Sequence, residues 1–95
     1  MNTSINPVKF KTDEKLDKFI NDKVAKLDRM IDNAIKCEVT LKLEKPETDN
    51  NKIVDMRLYV KGKDLFATKQ ADTFEEAVSE CVDSLKIQIE KYKNA

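Results

Sequence analysis

The sequence predicts an α+β domain: a two-layer sandwich of order β-α-β-β-β-α, in which a four-stranded mixed sheet carries both helices on one face. Three observations point there. Two long stretches space their apolar residues at i, i+3, i+4, and four shorter stretches before and between them read as strands, the second and third alternating clearly with period two. The first two strands are separated by a helix, which suits a parallel, right-handed crossover. The later strands are separated by short turns, which suit an antiparallel meander. Both helices need cover for an apolar stripe, and a single sheet face can supply it while the other face stays wet.

Thr3, Ile5, Val8 and Phe10 outline a short first strand, interrupted or bulged near Pro7, which has no N–H to give to a ladder. Thr12 or Asp13 offers an N-cap, after which Leu16, Phe19, Ile20, Val24, Leu27, Met30 and Ile31 form one helical stripe running to about Asp32. From Lys36 the period becomes two, with Cys37, Val39, Leu41 and Leu43 inward. Pro46 to Asn51, PETDNN, is turn chemistry. Val54, Met56, Leu58 and Val60 face inward on the next strand, and Asp55, Arg57 and Tyr59 outward. Gly62, the single glycine, supplies a positive φ for a tight hairpin. Leu65 to Ala71 is the fourth strand, with Leu65 and Ala67 inward. Asp72 or Thr73 caps the second helix, Thr73 and Glu76 are spaced as a capping box, and Phe74, Ala77, Val78, Cys81, Leu85, Ile89 and Tyr92 form the second helical stripe.

Ninety-five residues suffice for one core and one domain. The chain is 40% hydrophobic and 38% charged, and its 18 Lys+Arg balance 18 Asp+Glu, so any affinity for a polyanion must come from a local patch. The N-terminal segment has no signal-peptide h-region, and no run of about 18 apolar residues occurs, so a cytoplasmic protein without a membrane partner is expected. Cys37 and Cys81 stand apart with no histidine in the chain, and they read as small core residues rather than a zinc site or disulfide. No histidine base, glycine-rich nucleotide loop or nucleophile with a neighbouring base is visible, which argues against an enzyme, a cofactor or a small-molecule substrate.

The charges of the first helix are sorted by side. At about 100° per residue, Lys15, Lys18, Lys26 and Arg29 share one flank with Asp22 as the only acid, while Glu14, Asp17, Asp28 and Asp32 share the other. Lys23 projects into the apolar arc beside Phe19 and Met30, so its stem must pack and its ammonium snorkel. The second helix is sorted along its length: Asp72, Glu75, Glu76 and Glu80 at its start, Lys86, Lys91 and Lys93 at its end. Helix-dipole complementation alone accounts for that order. With the helices side by side, the basic flank of one and the basic end of the other would border one groove fit for phosphate oxygens.

The runs KVAKLDRMIDNAIKCEVTLKLEKPETDNN, VDMRLYVKGKDLFA and ADTFEEAVSECVDSLKIQIEKYK resemble the small ribosome-hibernation factors, the hibernation-promoting factor and ribosome-associated inhibitor family, over about Ile5 to Lys93. The resemblance implies the same β-α-β-β-β-α fold and a translation inhibitor, monomeric when free, whose partner is the small ribosomal subunit. It would occupy the channel of messenger and transfer RNA by holding ribosomal RNA phosphates. Carried over by position, Lys23, Lys26 and Arg29 match the family's basic positions in the first helix. Lys91 and Lys93 match those near the end of the second, and Lys86 joins them as a candidate RNA contact. Ser84, Ile87 and Glu90 stand where family members commonly carry further basic residues, which implies weaker binding or a shifted surface. The likeness is to the short form, without the extra domain by which long members pair ribosomes.

A double-stranded-RNA-binding domain has a related architecture but needs a basic start to its last helix. Here that start is Asp72-Thr73-Phe74-Glu75-Glu76. A protein-interaction module is the other alternative, supported by the zero net charge and by Ile87, Phe66 and Tyr59 as candidates for exposure.

Overall fold

Six elements follow in the expected order: β1 (Asn2–Pro7), α1 (Glu14–Met30), β2 (Ala34–Leu43), β3 (Lys52–Val60), β4 (Lys63–Ala71) and α2 (Phe74–Lys93). The structure, a computed structural model, describes residues 1–45 and 47–94; Pro46, the first residue of the PETDNN turn, lies outside them. The sheet order is β1-β2-β3-β4, with β1 parallel to β2 and the other pairs antiparallel.

Register follows the apolar alternation, because a slip of one residue would turn every buried side chain to water. Ile5, Val39, Met56 and Ala67 form one row across all four strands, and Thr3, Cys37, Leu58 and Leu65 form the next. These rows and the helix stripes make one core. Ile20, Leu27, Leu41, Met56, Leu58, Leu85 and Ile89 are its largest fully buried side chains. α2 packs on β3, β4 and α1 at once, so its buried stripe is wider than a one-sided helix requires and takes in Val82 as well as Val78 and Cys81.

Capping sets the helix starts. The Asp13 carboxylate accepts the Leu16 amide at 2.8 Å, and the Thr73 hydroxyl accepts the Glu76 amide at 3.1 Å. The capping box at Thr73 is half made: among the described residues no bond returns from the Glu76 carboxylate to the Thr73 amide. α1 ends at Met30, one to two residues short of the sequence expectation, because Ile31 is already extended at φ −144° and ψ 132°.

β1 departs most from expectation. It stops at Pro7, with one further rung from the Val8 amide to the Leu41 carbonyl at 2.9 Å. Lys9 then adopts φ 65° and turns the chain out of the sheet, leaving Val8 exposed. Phe10 stacks on Phe74 instead, with ring centroids 5.3 Å apart. Leu43, expected inward, is exposed at the far end of β2.

At the opposite end, Gly62 at φ +80° closes the β3–β4 hairpin. The Tyr92 hydroxyl donates to the Lys61 carbonyl at 2.8 Å, tying this turn to the last turn of α2. β4 is an edge strand, and the Gln88 side chain of α2 closes over it. Its amide nitrogen donates to the Phe66 carbonyl at 2.8 Å, and its oxygen accepts the Phe66 amide at 3.3 Å.

Candidate nucleic-acid interface

Both helices leave the same end of the sheet and run parallel. At their starts Phe19 shares an open hollow with Glu75, Glu76, Ser79 and Glu80. At their ends Arg29, Met30, Ile31, Asp32 and Asn33 share a cleft of about 440 Å³ with Tyr92 and Lys93. The seam between the helices is therefore graded, acidic at one end and basic at the other. The acidic first half would repel a phosphate.

The sequence-predicted residues other than Lys91 can be placed along this seam. Lys23 is half-buried, and its ammonium lies 5.5 Å from the centroid of the Phe19 ring, a snorkelled cation over an aromatic face. Lys26 and Arg29 are exposed on the flank beyond it. The Lys93 ammonium donates to the Met30 carbonyl at 3.1 Å, which joins the ends of the two helices directly. Lys86 lies two turns before Lys93 on the same flank, because seven residues bring a helix back to nearly the same side.

Lys91 is not with them. Two residues from Lys93 are about 200° of helix, and Lys91 lines a separate cleft of about 210 Å³ with Lys63, Leu65, Gln88 and Tyr92. The convergence that the sequence suggested thus holds for Arg29 and Lys93 and, along the same seam, for Lys23 and Lys86. It fails for Lys91, whose side of α2 faces β4.

Carboxylates moderate the field. Glu90 falls between Lys86 and Lys93 on one flank of α2, and Asp32 lines the same cleft as Arg29 and Lys93. Asp22 is held by Lys18 at 3.2 Å, so that pair contributes little net charge to the α1 flank. None of Lys23, Lys26, Arg29, Lys86, Lys91 or Lys93 is ion-paired with a carboxylate of the described residues.

The outer face of the sheet behaves differently, because its cations are engaged within the face. Lys42 meets Asp55 at 2.8 Å, Arg57 meets Asp64 at 3.4 Å, Lys36 lies over the Tyr59 ring, and Arg57 lies over that of Phe66. The Tyr59 hydroxyl donates to the Glu38 carboxylate, and that bond, with burial and the Glu38 charge, holds the phenol above its ordinary range. Phe66 is exposed here, while Ile87 projects from α2 on the other side of the molecule. The two do not form one apolar patch.

The lysines at the hairpin tip, Lys61 and Lys63, were not singled out from the sequence, although KGK around the single glycine is a readable signal. What hid them is tertiary: only the antiparallel return of α2 along β4 brings Lys91 beside that turn.

Fold and surface together define a small two-layer α+β domain with basic residues lining two open clefts at the end of its helices. The chain superimposes on two solved structures: a ribosomal subunit interface protein from Coxiella burnetii (20% identity, TM-score 0.85, covering 100% of both chains) and the Thermus thermophilus Protein Y N-terminal domain (18% identity, TM-score 0.84, covering 97% of this chain and 99% of that one). A sequence search of curated proteins returned no significant match. The chain belongs to the sigma-54 modulation protein / S30EA ribosomal protein family, whose model matches residues 3–95, and this is the hibernation-promoting-factor family that its sequence resembles.

Proposed function

We propose that the protein is a cytoplasmic translation inhibitor that binds the small ribosomal subunit and occupies the channel of messenger and transfer RNA. Occlusion is the mechanism: the basic half of the helix seam holds ribosomal RNA phosphates while the body of the domain, 43 Å long and 22 × 18 Å across, fills the path. No bond is made or broken. Lys23, Lys26, Arg29, Lys86 and Lys93 supply the phosphate contacts on the seam, and Lys91 adds one from the neighbouring flank.

The observation that carries this reading is the meeting of Arg29 and Lys93 in one cleft at the paired helix ends. In a chain of zero net charge, phosphate affinity requires such local segregation. Family membership supplies the ribosome as the polyanion. The alternative of a protein-interaction module has less support, because the exposed apolar residues Ile87 and Phe66 lie on different faces.

Co-sedimentation with purified bacterial small ribosomal subunits over a salt series tests the proposal. The wild-type chain should pellet at low salt and be released as salt rises, and Lys23→Glu/Lys26→Glu should be released earlier. Equal pelleting of both proteins at every salt concentration would sink it.

A further inference from the structure

The cations at the β3–β4 hairpin have no part in the helix seam, and one of them, Lys63, shares a cleft with Lys91. We infer that Lys61, Lys63 and Lys91 form a second phosphate-holding surface, on the flank of α2 turned away from α1, which contacts the nucleic-acid backbone independently of the seam. This rests on the proposed RNA-binding function and extends it to two residues outside both helices.

Four observations support it. Lys63 and Lys91 converge on one cleft of about 210 Å³ with Leu65, Gln88 and Tyr92. The Tyr92 hydroxyl fixes the hairpin tip through the Lys61 carbonyl, so the flanking lysines are carried on a positioned turn rather than a loose one. Of the acids adjacent to these lysines in sequence, Asp64 is committed to Arg57 on the outer sheet face and Glu90 lies on the Lys86–Lys93 flank of α2, and none of the three lysines is paired with a carboxylate of the described residues. Finally, nothing lies within 4 Å of where a Gly62 side chain would project, so a backbone can approach the tip closely.

The geometry also favours a continuous polyanion over an isolated anion. Tyr92 borders this cleft on one side and the Arg29–Lys93 cleft on the other. A strand crossing the end of the domain over Tyr92 would meet lysines on both sides, which a single free phosphate could not.

The test is binding of the full chain to small ribosomal subunits, and separately to protein-free ribosomal RNA of the same subunits, across a salt series. Lys61→Gln/Lys63→Gln should bind at least roughly ten-fold more weakly at about 0.1 M salt, and its slope of log affinity against log salt should be shallower by about 1.4–1.8, the loss expected for two phosphate contacts. Lys61→Arg/Lys63→Arg should bind as wild type. Both lysines are exposed, so thermal unfolding of the Gln variant should match wild type; Lys91→Gln provides the same reading from a helix position should the turn prove sensitive. Unchanged affinity and slope, with Lys23→Glu/Lys26→Glu still weakened, would overturn the second surface and leave the seam standing. Indifference of both variants would overturn the RNA-binding function itself. A loss seen on subunits but absent on protein-free RNA would assign these lysines to a protein carboxylate and overturn the phosphate assignment.

Discussion

The Lys93 ammonium donates a 3.1 Å hydrogen bond to the main-chain carbonyl of Met30, 63 positions earlier in the chain. A cation from the last turn of α2 thereby sits at the negative end of α1, whose final carbonyl it meets. An ammonium has three donors, so the bond to Met30 leaves two for a phosphate. Lys93 is thus both a structural tie and a candidate contact.

Removing that tie should cost stability. Lys93→Ala is expected to lose about 0.3–1 kcal/mol, the usual worth of a cation at a helix C-terminus, and to lower Tm by a few degrees, at roughly 4–8 °C per kcal/mol for a domain of this size. The loss should shrink as salt is added, since the site is exposed. Lys91→Ala, one residue pair away but on the other flank, should fall by less. Thermal unfolding followed by circular dichroism at two salt concentrations checks both points; an equal loss in the two variants would show that the Met30 bond contributes nothing of its own.

Acid should weaken the outer sheet face through Asp55. Burial pushes its carboxyl up, but hydrogen bonds from Lys42 and Thr68, together with the Lys42 charge, outweigh burial and hold it below its ordinary 3.8. A carboxylate with a lowered folded-state pKa contributes stability above its unfolded value and loses it as pH falls through the folded one. Stability measured by urea unfolding should therefore decline from about pH 4 downward, and Asp55→Asn should flatten that part of the curve. Parallel acid limbs in the two proteins would contradict the assignment.

Cys37 and Cys81 should be silent in the folded protein. Both are fully buried, and burial is the main reason each thiol is pushed up to about 12. The thiolate is the reactive form, so neither should react with an aromatic disulfide reagent near pH 8. Both should react once urea unfolds the chain, and the labelling rate in native buffer should follow global opening. Rapid labelling of one thiol in the native state would reveal a local opening of β2 or α2.

Most of this architecture was readable because few local signals conflict. β2, β3 and both helices have clean periods, and of the two cap candidates at each helix start the structure uses the second, Asp13 and Thr73. The inward choice of Leu65 and Ala67 on β4 also holds. β1 was misjudged past Pro7, since nothing in VKF announces that Lys9 will take a positive φ and send Phe10 to Phe74. Val82 was missed for a different reason: a helix packed on two partners buries a wider arc than spacing against one sheet suggests. In the site, helical angle grouped Lys26 and Arg29 with Lys15 and Lys18 and set Lys23 apart in the apolar arc. Separating Lys91 from Lys93 needed the placement of α2 against β4, and finding Lys61 and Lys63 beside Lys91 needed the return path of the chain.

The two hydrogen bonds between the Gln88 side chain and the main chain of Phe66 have one more result. An edge strand normally offers its outward amides and carbonyls to any passing extended segment. Here the middle rung of that ladder is already taken by a side chain from behind, so a fifth strand could not zip along the margin without first prising the clasp away. That margin of the sheet is thereby capped from within, and on this side the chain is guarded against stacking onto itself.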